Sequence, residues 1–373
     1  MIWIILFILL FLIGLAGIGY LVYNAQKICF VEKLSRGHTS IRWIIGAALI
    51  LVPSMILWIL LGFINMVTVL LHLAVFTAIA DLTLFIIAKC RKKKIKNVSA
   101  GIIAILVTAV YLGIGWVGAT YVTETDYTIR TDKSTGTLRI ALLADSHIGT
   151  TFDGDGFKKH LSRICEQDPD VMVIVGDFVD ESSEYEDMVT ACRALGSIKV
   201  RYGIYFVFGN HDKGKYSDGR RGYNADDLTA ELRKNSVNVL EDEAVLIDDR
   251  FYLIGRQDAS EELDFGGNRA DISKLTEGLN KDIYSIVLDH QPRDYKKEAD
   301  AGVDLVLSGH THGGQMIPLV QLMKWFHFGN DNVYGAEHRD NTDFIVTSGI
   351  SDWAFCFKTG CKSEYVIIDI IGK

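Results

Sequence analysis

The chain changes its hydrophobic rhythm once. Over residues 2 to 23, 43 to 62, 66 to 88 and 99 to 120 the side chains are apolar almost without a break. A helix needs about 20 such residues to cross about 30 Å of hydrocarbon, so these runs read as four membrane-spanning helices. The stretch from Trp43 to Ala88 is too long for one crossing, and Gly62-Phe63-Ile64-Asn65 offers the turn that divides it. The first run lacks a basic leader and exceeds the apolar part of a typical signal peptide, so it reads as a retained helix. Beyond residue 122 the apolar runs shorten and alternate with amphipathic stretches. Leu138 to Ala144, Val171 to Val175, Ile204 to Phe208, Phe251 to Gly255, Ile283 to Leu288, Asp304 to Leu307, Phe344 to Thr347 and Tyr365 to Ile368 read as strands. Gly156 to Glu166, Tyr185 to Leu195 and Asp226 to Lys234 read as helices. Such alternation indicates an α/β layer fold. Residues 123–136 are polar and turn-rich and read as a linker between a transmembrane region, 1–122, and a soluble domain, 137–373.

Charge divides along the same line. Residues 1 to 122 hold two acidic side chains, Glu32 and Asp81, and ten Lys or Arg. Of 46 acidic and 38 basic residues in the chain, 44 and 28 therefore fall after residue 122, a net −16 there against +8 before it. An acidic domain repels a polyphosphate backbone, which argues against nucleic acid as a partner. The basic residues of the first part sit in the first loop (Lys27, Lys33, Arg36, Arg42) and the third (Lys89, Arg91, Lys92, Lys93, Lys94, Lys96). Basic loops stay cytoplasmic, so four spans place the soluble domain on the extracytoplasmic side of a cell membrane. The glycosylation pattern Asn97-Val98-Ser99 then falls on the side where it is not used.

Chemistry concentrates where the short strands stop. Asp145-Ser146-His147, Gly176-Asp177-Phe178-Val179-Asp180, Gly209-Asn210-His211-Asp212, Asp289-His290-Gln291-Pro292 and Gly309-His310-Thr311-His312-Gly313-Gly314-Gln315 each follow a strand-like run. They offer five Asp, one Asn and five His, enough hard oxygen and imidazole ligands for two metal ions side by side. Asp145 and His147 share a face in an extended chain and can reach one ion; Asp177, with two oxygens, can bridge two. Mixed oxygen and imidazole ligation suits manganese, iron or zinc better than calcium. A lone His beside an apolar strand is usually a core residue, and His160, His327 and His338, which belong to no motif, read that way or as surface.

These five blocks, in this order, resemble the calcineurin-like metallophosphoesterases over about residues 137 to 371, with the block from Gly309 to Gln315 the most specific. The resemblance implies a four-layer α-β-β-α sandwich of two mixed sheets. It implies one metal on Asp145, His147, Asp177 and His312, and a second on Asp177, Asn210, His290 and His310. It implies attack on phosphorus by a metal-bridged hydroxide, with His211 as proton donor to the leaving group. Asp212 is expected to orient His211, and Asp180 to support a ligand. The expected function is hydrolysis of a phosphodiester or pyrophosphate, of a membrane or envelope lipid because a membrane tether confines the site. The alternatives are a phosphatase or phosphodiesterase on soluble extracellular nucleotides or phosphomonoesters, and a non-enzymatic membrane sensor, which an eroded ligand set would favour.

Four features stay open at this stage. Asp81 lies inside the third span, where a carboxylate is either functional or hydrogen-bonded to a neighbour; His72 is the other titratable group of that helix. Cys356 and Cys361 are close enough in sequence for a disulfide across a hairpin. Leu319 to Phe328 is unusually apolar for a segment beside a polar site and reads either as a lip for acyl chains and bilayer or as a core helix. Arg220 and Arg221 read as a grip on a second phosphate or as surface charge.

Overall fold

The computed structural model describes residues 2–92, 98–217, 219 and 221–373. The chain divides into two compact units, Met1–Gly115 and Trp116–Lys373. The first is helical: α1 (Ile2–Ala25), α2 (Cys29–Leu34), α3 (Thr39–Leu61), α4 (Phe63–Arg91) and α5 (Val98–Thr120), whose last turn belongs to the second unit. α3, α4 and α5 are long and apolar enough to cross a membrane, and Leu12–Ala25 is a shorter apolar helix among the described residues. The expected turn falls at Gly62, whose φ of 83° is open to glycine and stops α3. The short α2 was not foreseen. Lys93, Lys94, Lys96 and Asn97 lie outside the described residues. Asp81 accepts a 2.6 Å hydrogen bond from the Tyr20 hydroxyl, while His72 has partners of its own, Thr68 O at 2.8 Å and the stacked ring of Tyr111.

The second unit is built on two six-stranded mixed sheets. The first runs in the order β1 (Thr123–Arg130), β12 (Glu364–Ile371), β2 (Thr137–Leu143), β3 (Val171–Val175), β4 (Ile204–Val207), β5 (Val237–Val239). The second runs β10 (Gly335–Arg339), β11 (Thr342–Val346), β9 (Leu305–Ser308), β8 (Tyr284–Leu288), β7 (Phe251–Gly255), β6 (Glu243–Ile247). Helices α6 (Gly154–Cys165), α7 (Tyr185–Gly196) and α8 (Ala225–Lys234) cover the first sheet. The short α9 (Ser260–Leu263) follows β7, and α10 (Ile272–Leu275) and α11 (Tyr295–Ala301) cover the second sheet; α12 (Leu319–Phe326) follows the last metal motif.

Period-2 alternation sorts each strand between layers. In β2, Leu138, Ile140 and Leu142 enter the core between the sheets, with Ile286, Leu288, Leu305 and Leu307 opposite them. Ala141 and Leu143 point the other way, against Phe157, Leu161 and Leu195 of α6 and α7. β3, buried at every position, needs no polar face and reads as an unbroken Val-Met-Val-Ile-Val. The result is the expected α-β-β-α sandwich.

The reading of 123–136 as a linker does not survive. Residues Thr123–Arg130 form β1, paired in parallel with the whole of β12 from Thr123↔Glu364 to Arg130↔Ile371. Thr125, Tyr127 and Ile129 alternate with Glu124, Asp126 and Thr128, an edge-strand pattern that a search for apolar runs overlooks.

Candidate metal centre

All the expected ligands sit just past the carboxyl ends of five central strands. Asp145 and His147 follow β2, Asp177 follows β3, Asn210 follows β4, His290 follows β8, and His310 and His312 follow β9. Parallel neighbours bring these ends to one edge, where loops of both sheets converge. The backbone there is bent hard. Asp145, His147, Asp177, His310 and His312 all have left-handed φ, at 54°, 37°, 53°, 71° and 48°. For residues with a side chain this costs about 1–2 kcal/mol each, and such strain gathers where function over-determines the geometry. Glycines make the crowding possible. At Gly176, with φ 77°, a Cβ would lie 2.5 Å from His290 Nδ1, and a Cβ at Gly209 would collide with the Asp177 carboxylate.

The side chains form two groups. Asp145, His147 and His312 bring one ligand atom each to within 4.8 Å of one another, and Asp177, His290 and His310 do the same. Asn210 joins the second group, its Oδ1 2.9 Å from His310 Nδ1. Asp177 Oδ2 lies between the groups, 3.1 Å from His290 Nε2 and 3.7 Å from His147 Nε2. The donor set fits a pair of divalent ions. His147 Nε2 and His290 Nε2 are buried and make no hydrogen bond, although Asp177 is near both. Leaving such groups buried without partners is costly unless something else binds them.

Other groups fix the imidazoles. Asp180 Oδ2 lies 3.2 Å from His147 Nδ1, and Val175 O lies 2.8 Å from His290 Nδ1. The Val175 contact leaves Nε2 of His290 toward the centre, the usual way of setting a ligand tautomer. Behind His312 stands Asp352, 3.8 Å from its Nδ1. Asp352 is 3.6 Å from the fully buried Lys358, whose ammonium donates to Ser348 O, Ser351 O and Ser363 Oγ at 2.8, 2.9 and 3.2 Å.

Proton affinities are driven apart within the cluster. Burial pushes Asp145 up to about 6 against the pull of His290. Burial opposes charge on Asp177 too, but His290 and His211 hold it well below the usual carboxylate range. For His290 burial disfavours the cation, yet Asp177 lifts it well above the usual value. Burial lowers His310 to about 3 and takes His312 down as well. Opposed shifts among touching groups are characteristic of sites that bind or move charge.

His211 reaches the same centre from the rim. Its Nδ1 pairs with Glu181 Oε1 at 2.7 Å, and its ring packs beside Trp353 and Tyr216, with centroids 5.1 and 5.4 Å away. Burial works against the imidazolium, but Asp177 and the Glu181 hydrogen bond push it up to about 9. These residues, with Asp177, Asn210, His310 and His312, line a cavity of about 560 Å³.

One expectation needs correction, and two open readings are resolved. Asp212 does not orient His211. Its carboxylate accepts from the backbone N–H groups of Asp177, Phe178, Val179 and Gly209, at 2.7–3.0 Å, and so ties the β3 and β4 loops together. The residue that holds the His211 ring is Glu181, four positions after Asp177, where nothing in a one-dimensional motif distinguishes it from a surface acid. Arg221 is neither surface nor open to a phosphate. It is buried and donates to His211 O and Asp212 O at 3.3 and 2.7 Å; Arg220 lies outside the described residues. No disulfide joins Cys356 and Cys361, and Cys361 Sγ donates to His312 O at 3.1 Å.

Sequence reading also left Asp289 without a partner. It sits between Arg256 Nη1, at 2.8 Å, and Arg269, and Arg256 also reaches Glu298 at 3.1 Å. This buried network anchors the end of β8 beside His290. Arg256→Ala would strand the buried Glu298 and leave Asp289 with Arg269 alone, and we expect a loss of roughly 3–5 kcal/mol, read as a lowered thermal unfolding midpoint of the purified protein.

The two-layered sheet core gathers acids, an amide and imidazoles at converging strand ends, in two groups that could each hold a metal ion. The comparisons with known proteins agree: the calcineurin-like phosphoesterase profile matches residues 138–314, and the chain belongs to that family. It is 34% identical over 256 residues to an uncharacterized metallophosphoesterase of Aquifex aeolicus, covering 66% of this chain and 91% of that one. It is 34% identical over 284 residues to a bovine "Transmembrane protein with metallophosphoesterase domain", covering 70% of this chain and 60% of that one. A protein of the same name from Danio rerio is 33% identical over 277 residues, with 70% and 61% covered. The chain thus spans about 60% of the length of these two transmembrane relatives.

Proposed function

We propose that this chain is a membrane-anchored phosphoesterase that hydrolyses a phosphodiester or pyrophosphate of a membrane or envelope lipid, with its catalytic unit on the extracytoplasmic side. The observation that carries the chemistry is the pair of ligand groups sharing Asp177 at the strand ends. Two divalent ions of manganese, iron or zinc type would be held by Asp145, His147, Asp177 and His312 on one side, and by Asp177, Asn210, His290 and His310 on the other. When bound they supply Lewis-acid polarisation of the phosphoryl group and activation of the attacking water.

The chain's own residues do the rest. Val175 O holds His290 in the tautomer that presents Nε2, and the Asp180 carboxylate stands 3.2 Å from His147 Nδ1. His211, kept cationic by Asp177 and Glu181, stands at the cavity wall to donate a proton to the leaving oxygen. Tyr216 and Trp353 form an apolar lip that restricts water on the leaving-group side.

The lipid assignment is supported by the apolar helices that keep the chain at a bilayer. A second reading, a soluble nucleotide or phosphomonoester, draws on Tyr216 and Trp353, which could stack on a flat ring. A metal-by-substrate screen of the purified full-length protein decides between them. We expect turnover of a nitrophenyl phosphodiester with manganese or a neighbouring transition ion, and faster turnover of envelope lipids than of water-soluble esters. No turnover of either class with any transition ion would remove the proposal; preference for the soluble esters would select the second reading.

A further inference from the structure

The chemistry above leaves unused the segment after the last metal motif. α12 turns Val320 inward at 6% exposure and leaves Trp325 and Phe326 exposed at 72% and 65%. Ile317 and Leu319 add to the same exposed apolar surface. That excludes a core helix, one of the two readings the sequence left open. Large clustered apolar side chains in water mark a surface that something covers.

What covers it follows from how α12 is rooted. Thr359 N and Gly360 N both donate to Gln315 O, at 3.1 and 3.0 Å, and Ile317 N donates to Thr359 Oγ1 at 3.1 Å. Val320 packs directly on Gly360. The start of α12 is therefore fixed to the loop of residues 358–363. The same loop is fixed to the last turn of α5. Ser363 N donates to Gly118 O and Ser363 Oγ to Ala119 O, each at 2.8 Å, and a Cβ on Gly118 would meet Lys358 O at 2.7 Å. α5 is long and apolar enough to cross a membrane. Its end carries Trp116 and Tyr121, both largely exposed, the ring types that mark a bilayer–water boundary. Only the short, hydrogen-bonded 358–363 loop separates that boundary from the root of α12.

We propose that α12 is an interfacial helix, with Ile317, Leu319, Trp325 and Phe326 inserted at the headgroup–acyl boundary of the same bilayer that α5 crosses. Lys324, on the same helix, adds attraction to anionic headgroups. Insertion holds the Gly309–Gln315 motif, four residues upstream of α12, at the lipid surface. The inference rests on α5 being a span and deepens the lipid-substrate reading, since it names what keeps the site against its substrate.

The test uses full-length protein in nanodiscs of neutral and anionic phospholipid. The emission of Trp325 is isolated as the difference between wild type and Trp325→Phe. We expect that difference spectrum to be blue-shifted, quenched by lipids brominated high on the acyl chain, and protected from acrylamide. Phe326→Trp, which adds an indole on the same turn, is expected to add emission with the same properties. A red-shifted emission open to acrylamide and blind to brominated lipid would overturn the proposal. So would emission shielded from both quenchers, which places a protein surface, such as a second copy of this chain, over the helix. The result is separable from the substrate question. Quenching by lipid without lipid turnover leaves α12 in the bilayer and removes the lipid substrate; lipid turnover with Trp325 in water does the reverse.

Discussion

Asp177→Ala should empty both metal positions at once and reduce phosphodiester turnover by about three orders of magnitude or more, the equivalent of about 4 kcal/mol of lost transition-state stabilisation. Asp177 offers one carboxylate oxygen to both histidine groups, at 3.1 Å from His290 and 3.7 Å from His147. Removing it also takes away the carboxylate oxygen beside His290 Nε2. Elemental analysis of the purified variant reads the effect directly: metal per chain should fall toward zero. Asn210→Ala and His312→Ala, which each belong to one group only, should fall toward one. An Asp177→Ala protein that keeps one tightly held ion would show that the two groups do not share this residue.

His211→Ala should cost about 10²–10⁴-fold in turnover with metal content unchanged. The size of the loss should depend on the substrate. A nitrophenolate leaves without a proton and should lose little, whereas an alkoxide-leaving diester should lose the full amount. Equal losses with both leaving groups would argue that His211 stabilises the phosphoryl group instead of the leaving oxygen. Glu181→Gln keeps the hydrogen-bonding shape but removes the charge that, after Asp177, supports the imidazolium, and should reproduce part of the same pattern. Asp212→Ala should behave differently from both. Its carboxylate accepts four backbone N–H groups and touches no ring, so its loss should loosen the Asp177 and Gly209 loops and lower metal content together with turnover.

The contrast between His211 and Asp212 shows what a sequence can carry. The candidate ligands were legible because each stands in a short motif directly after an apolar run long enough only for a strand. The sorting of the central strands between layers came only with the structure. The partners that hold the ligands were not legible, because they come from elsewhere in the chain. Glu181 reaches His211 from 30 residues away, Arg256 meets Asp289 across 33, and Lys358 supports Asp352 from within an irregular loop. Asp212 misled for a simpler reason: the residue next to His211 in sequence points its carboxylate away from it, into the turn of a neighbouring strand. β1 escaped notice because an edge strand keeps polar residues on alternate positions and offers no apolar run.

The left-handed backbone at Asp145, His147, Asp177, His310 and His312 has a consequence for how such a site tolerates change. At each of these positions glycine would adopt the same backbone with less strain, so what the side chain does there must outweigh that strain. Robustness and chemistry therefore pull these five codons in opposite directions. A descendant freed from the reaction would shed its ligands first, and would become hardier as it did so.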